Sequence, residues 1–168
     1  GCTWSPDFTV KTPTGFKDAY AKLVAGGWPG LGSEPEFGGQ GLPHVVNLAF
    51  SEMSSSANMA FSMYPGLTHG CYSAILTGGS PEQKERLAAL IRRREQVALG
   101  LTERAHGADL LANEVQASRS AGGYSLSGEK WLVNNATRST AIVLFTRTDI
   151  HGGPRGFLRP ATIRAHRE

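Results

Sequence analysis

Cysteine is scarce in this chain: Cys2 and Cys71 stand alone, far apart and without histidines at ligand spacing. Neither a disulfide scaffold nor a zinc site is indicated, and a reducing, cytoplasmic setting is the expectation. Long hydrophobic runs are missing too. No stretch approaches the ~18 apolar residues of a membrane-spanning helix, and no charged-then-apolar opening marks a secretory signal. Charge of one sign is not in large excess, with 17 Lys+Arg against 14 Asp+Glu for a net +3. Arg155, Arg159, Arg164 and Arg167 hold much of that excess near the C-terminus. The body is close to neutral, so a nucleic-acid partner is not expected. The histidines (His44, His69, His106, His151 and His166) share no i, i+4 spacing, and no metal site is expected. The glycine-rich segment around Gly38 lacks the order of a dinucleotide fingerprint and follows no clear strand, which argues against a nicotinamide cofactor.

What remains is an ordinary apolar content of 40% in 168 residues, enough for one to two small domains. Thr12-Pro13 reads as a cap and first turn, with Phe16, Tyr20, Leu23 and Val24 on one helical face and Gly26-Gly27 as the stop. Trp28 to Leu42 is too rich in glycine and proline for regular structure. A second helix is predicted from Pro43 to about Met53, ended by Ser54-Ser55-Ser56. Asn58 to Leu76 is predicted helical in two pieces, broken at Pro65-Gly66. Ser80-Pro81-Glu82-Gln83 is a capping box opening a helix whose last turn holds Arg92-Arg93-Arg94, where the dipole favours cations. Glu114 to Ser118 and Tyr124 to Ser127 alternate around Ala121-Gly122-Gly123 as a hairpin, and Ala141 to Thr148 is a further strand.

The chain is organised around Val97 to Asn135. Val97, Leu99 and Leu101 alternate with small residues and predict a strand that delivers Thr102 and Glu103 at its end. The turn from Arg104 to Asp109 then crowds backbone N–H groups together, with Gly107 free to adopt positive φ and Asp109 able to bond its own turn. Such a strand end suits a flat, electron-rich ligand. Residues 102–109 read T-E-R-A-H-G-A-D and residues 128–135 read G-E-K-W-L-V-N-N. In that order they resemble the two signatures of the acyl-CoA dehydrogenases, roughly T-E-P-x-x-G-S-D and G-x-K-x-W-I-T-N. The resemblance extends upstream through Gly26-Gly27-Trp28, the segment from Pro35 to Pro43, and the segment from Met63 to Gly70, covering about Gly1 to Phe157.

The resemblance implies an α+β chain: an N-terminal helical domain over residues 1–95, an incomplete β-barrel domain over 96–157, and an irregular basic tail over 158–168, with the family's C-terminal helical bundle absent. It implies FAD as cofactor, contacted by Leu99, Leu101 and Thr102 and by Leu132, Val133 and Asn134. It implies an acyl-CoA or related acyl thioester as substrate, near Ala108 and along a pocket wall that includes Met63 and Tyr64; read from the residues alone, Met63 and Tyr64 are simply core. A homo-oligomer is implied for the full-length protein. Several positions depart from the family. Leu99 stands for a common aromatic, Leu132 for a common Trp, Asn134 for Thr or Ser, Ala108 for Ser or Thr, and Arg104 for Pro. The family's catalytic glutamate lies in the C-terminal helical domain, so no catalytic residue is assigned here, and Glu103 and Asp109 match structural positions of the motif.

The expected function is therefore a fragment of an FAD-dependent acyl-CoA dehydrogenase, with a non-catalytic remnant binding at most flavin or a partner subunit as the alternative. The first residue, Gly1, is not Met, and Arg159, Pro160 and Arg164 spoil the strand that should begin at Gly156-Phe157. An internal piece of a longer chain is expected, with Ala141 to Phe145 left as an unpaired sheet edge.

Overall fold

The computed structural model describes residues 1–7, 9–93 and 95–148, and the backbone of Pro154–Arg159. The chain forms two compact units, Gly1–Pro65 and Gly66–Glu168.

The first unit opens with a short antiparallel pair, β1 (Thr3–Trp4) and β2 (Val10–Lys11). Helix α1 (Phe16–Ala25) follows. Its N-cap is Gly15 at φ 83°, not the expected Thr12, because the Pro13-Thr14 turn is closed first by a bond from the Phe16 N–H to the Pro13 carbonyl. The stop is as expected, with the Gly26 and Gly27 N–H groups bonding back to Lys22 and Val24. The irregular segment after it is held by backbone bonds from Gln40, Gly41 and Leu42 to Gly30, Ser33 and Leu31. Gly39 is required there, since a Cβ would run into the Ser33 carbonyl. Phe16 meets Phe61 and Tyr64 edge-on, Tyr20 meets Tyr64, and Trp28 stacks on Phe50.

Helix α2 (His44–Gly78) is longer than its predicted pieces and interrupted elsewhere. The three serines do not end it; the Ser54 hydroxyl donates to the Ser51 carbonyl inside the helix. Pro65 also stays within it. The interruption is at Asn58 (φ −163°, ψ 96°), whose Oδ1 accepts the Phe61 N–H at 3.0 Å, so this residue caps the turns that follow.

The second unit contains the end of α2, helix α3 (Pro81–Arg92) and a five-stranded sheet. The Ser80 capping box is present as expected, with both Ser80–Gln83 bonds made. The strands are β3 (Val97–Gly100), β4 (Gln116–Ser120), β5 (Gly123–Ser127), β6 (Ala141–Thr148) and β7 (Pro154–Arg159), in the order β3-β6-β4-β5 with β7 also on β6. β6 runs parallel to β3 (Leu99 opposite Val143) and to β4, and antiparallel to β7. The core is Cys71, Tyr72, Ile75, Leu87, Val97, Ala98, Val115, Ala117 and the start of β6, all buried. The Val97 N–H donates to the Thr68 hydroxyl, and the Cys71 thiol donates to the Ala98 carbonyl, which stitches α2 to β3. Burial pushes that thiol up to about 12, so it stays protonated.

This is an α+β architecture, helices then a mixed sheet. Among the described residues the sheet does not close into a barrel and no helix follows β7. The expected bare edge is not there: residues 142–144 of β6 pair with both β3 and β7. Leu158 and Arg159, expected in an irregular tail, belong to β7, and residues 160–168 lie outside the described residues.

Candidate functional site

Beyond β3 the chain continues through Leu101 and Thr102, both partly buried, to the buried Glu103. The turn that follows closes with two backbone bonds between Glu103 and His106. Gly107 does not use positive φ there, contrary to expectation. The left-handed conformations fall in the second signature instead, at Leu132 (φ 53°) and Asn135 (φ 61°). A non-glycine residue held there costs on the order of 1–3 kcal/mol, which the surrounding structure must offset.

Two links fasten the signatures together. The Trp131 N–H donates to the Thr102 carbonyl at 2.8 Å. Beneath it, Lys130 Nζ lies 2.8 Å from Glu103 Oε1 and donates to the Leu101 carbonyl at 2.9 Å. The side chains of this ion pair are 7% and 6% exposed. Glu103 also accepts the N–H groups of Glu114 at 2.6 Å and Val115 at 3.0 Å. Burial pushes its carboxyl up, but the bonds from Lys130, Glu114 and Val115 together outweigh burial and leave it below the ordinary glutamate range. Gly128 makes the approach possible: it sits at φ 124°, and a Cβ there would press on Val115.

Asn113 and Arg147, which lie outside both signatures, complete this network. Asn113 Nδ2 donates to the Leu101 carbonyl at 2.8 Å, and Arg147 Nε donates to the Asn113 carbonyl at 2.6 Å. Buried polar side chains far apart in sequence leave no periodic or motif signal. Nearer the surface, the Arg104 guanidinium lies 3.8 Å from the centre of the Trp131 ring and pairs with Glu129 at 3.3 Å.

His106 Nδ1 lies 2.9 Å from Asp109 Oδ2, and Nε2 lies 3.5 Å from Glu114 Oε1. The Asp109 bond is the main reason His106 is held above its ordinary 6.5, and the same bond lowers Asp109. A histidine raised in the folded state adds stability that is full below 6.5 and is lost as pH rises through its folded value. The stability difference between wild type and His106→Ala is therefore expected to be larger at about pH 5.5 than at about pH 9 in urea unfolding. An unchanged difference would show that the contact contributes nothing.

Of the expected flavin contacts, Leu99, Leu101, Thr102 and Val133 are partly buried and Leu132 and Asn134 exposed. Leu132, 76% exposed, holds an apolar side chain clear of the chain's own core. Leu99, Leu101 and Leu132 are apolar, and Thr102 and Asn134 carry groups that donate and accept hydrogen bonds, residue types that fit a flat, polar-edged group such as the isoalloxazine of FAD. Ala108 is exposed on the turn. Met63 is exposed and Tyr64 is packed among aromatics in the first unit. A cleft of about 820 Å³ adjoins the Glu103 network, walled by Glu103, Arg104, Glu114, Gly128, Glu129 and Arg147. It includes none of the expected flavin contacts, and its arginines are engaged by chain carbonyls, Glu129 and Trp131. Among the described residues no group of three ligating side chains could hold a metal. His151 and His166 lie outside the described residues.

With this geometry the comparisons agree. Residues 9–95 match the acyl-CoA dehydrogenase N-terminal domain and residues 98–165 its middle domain. The chain belongs to the acyl-CoA dehydrogenase family. Among particular relatives, it is 36% identical over 154 residues to the 3-methylmercaptopropionyl-CoA dehydrogenase of Ruegeria pomeroyi, covering 88% of this chain and 26% of that protein. It is 32% identical over 130 residues to the mitochondrial isovaleryl-CoA dehydrogenase of Solanum tuberosum, covering 76% of this chain and 31% of that one. The chain thus spans about a quarter to a third of these relatives. An acyl-CoA dehydrogenase of Bacillus anthracis complexed with FAD superposes with a TM-score of 0.74 at 27% identity, over 86% of this chain and 25% of that one. Butyryl-CoA dehydrogenase of Megasphaera elsdenii, at 24% identity and a TM-score of 0.77, covers 87% of this chain and 40% of that one and shows the shared fold.

Proposed function

We propose that this chain supplies the flavin-facing floor of an FAD-dependent acyl-CoA dehydrogenase, an enzyme that introduces an α,β double bond into an acyl thioester. The observation that carries this reading is the Trp131 N–H on the Thr102 carbonyl, which lays the two signatures side by side. Leu99, Leu101 and Thr102 hold FAD from one segment, and Leu132, Val133 and Asn134 from the other. The bound FAD would supply the hydride acceptor. Ala108 is assigned to the acyl thioester, as are Met63 and Tyr64 in the first unit. An acyl-CoA as substrate class is supported by the named activities of the relatives, and FAD by the complex of the Bacillus anthracis enzyme.

A second reading, a chain that binds flavin without catalysis, is favoured by one observation: the carboxylate nearest the strand end, Glu103, is already committed to Lys130 and two backbone N–H groups. Both readings require flavin binding. Thr102→Val keeps the shape and removes the hydroxyl, and is expected to weaken FAD binding by about 0.5–1.5 kcal/mol. Fluorescence titration of FAD on both proteins measures it. Equal affinities would place the flavin away from Thr102.

A further inference from the structure

We propose that Asn113 is a positioning residue for the flavin-facing end of β3, an inference that rests on the flavin reading above. Asn113 is fully buried, and its Oδ1 has no hydrogen-bond partner among the described residues. An apolar side chain would fill that volume without leaving a polar atom unpaired, so packing does not account for an amide there. What the amide does is donate Nδ2 to the Leu101 carbonyl at 2.8 Å. Lys130 Nζ donates to the same oxygen at 2.9 Å. Both acceptor sites of one carbonyl are thus filled, one of them by a cation.

The consequence appears on the far edge of the same peptide. The Leu101–Thr102 bond is trans, so the planar unit that turns its oxygen toward Asn113 and Lys130 turns the Thr102 N–H the opposite way. Hydrogen bonds accepted at the oxygen polarise the unit and strengthen that N–H as a donor. The Trp131 N–H on the Thr102 carbonyl fixes the next peptide plane. Asn113 itself is braced from the sheet, with its carbonyl accepting Arg147 Nε at 2.6 Å and its N–H donating to Leu110 at 3.3 Å. The route runs from the middle of the sheet through Asn113 to Thr102, and its product is a pre-aimed, strengthened donor for an electron-rich ligand edge.

Asn113→Leu keeps the number and branching of the side-chain heavy atoms, removes the donor and leaves the bond from Arg147 to the main chain in place. Two readouts follow for the full chain. Without FAD, the Thr102 amide proton should move upfield in NMR spectra while the amides of Val97–Gly100 keep their positions. In FAD titrations the dissociation constant should rise about five- to tenfold. An unmoved Thr102 resonance, or an affinity change within about twofold, would overturn the proposal. Failure of the wild-type chain to bind FAD would instead refute the flavin reading, and the Thr102 resonance alone would then decide the positioning role. Should the leucine variant not fold, Asn113→Ala, which removes both polar atoms without adding bulk, is read in the same way.

Discussion

Lys130→Met is expected to lower the unfolding free energy by about 3–5 kcal/mol, because it strips the counter-charge from a buried carboxylate. Glu103 would keep only the Glu114 and Val115 N–H groups, and the Leu101 carbonyl would keep only Asn113. Against the ~5–15 kcal/mol that holds a domain together, this is a large share. Adding Glu103→Gln should restore part of it, since it removes the unpaired charge while its single amide oxygen still accepts one of the two backbone N–H groups. Urea unfolding of wild type, single and double variants measures the terms. A loss below about 1 kcal/mol for the single variant would mean that the pair behaves like an exposed one.

The second large effect is an absence of turnover. The 168-residue chain reconstituted with FAD is expected to give no dye-coupled oxidation of acyl-CoAs above free flavin. Removing a proton beside a thioester needs a free carboxylate within reach of the α carbon and with a suitable pKa, and losing such a base costs about 10²–10⁴ in rate. Glu103 is held below the ordinary glutamate range and fully bonded. Asp109 is lowered by its bond to His106. Neither is poised to accept that proton. Measurable turnover, abolished by Glu103→Gln, would contradict this and identify the base.

Local chemistry was the legible part of the fold. Ser80 and Gln83 close their capping box within one turn, β6 reads as a strand from its β-branched and aromatic residues, and the hairpin between β4 and β5 follows from its glycines. Competition between neighbouring signals was not legible. Ser54-Ser55-Ser56 looked like a terminus because serine is a poor helix interior, yet Ser54 satisfies its hydroxyl inside the helix and Asn58 does the capping. Partnerships across the sheet were hidden for a different reason. Nothing in the run of residues 141–145 says that β3 will lie parallel beside it, since pairing depends on which distant segments bring complementary edges.

In the candidate site, the two signatures were readable as motifs while the forces joining them were not. Glu103 and Lys130 were visible as motif members, but their contact spans 27 positions and only the folded chain buries it. Asn113 and Arg147 lie outside both signatures, and their value lies entirely in which carbonyls they reach. Leu132 is smaller than the Trp common at that position of the family. Its left-handed backbone, which sets the side chain outward, is invisible in its identity.

Amide chemical-shift mapping during an FAD titration of the 168-residue chain tests the central claim most directly, because it locates the ligand without requiring turnover. The largest changes are predicted at Leu99, Leu101, Thr102, Leu132, Val133 and Asn134, with small ones around the cleft at Ala112, Glu114 and Gln116. Changes centred on that cleft, with Thr102 and Leu132 unmoved, would contradict the account.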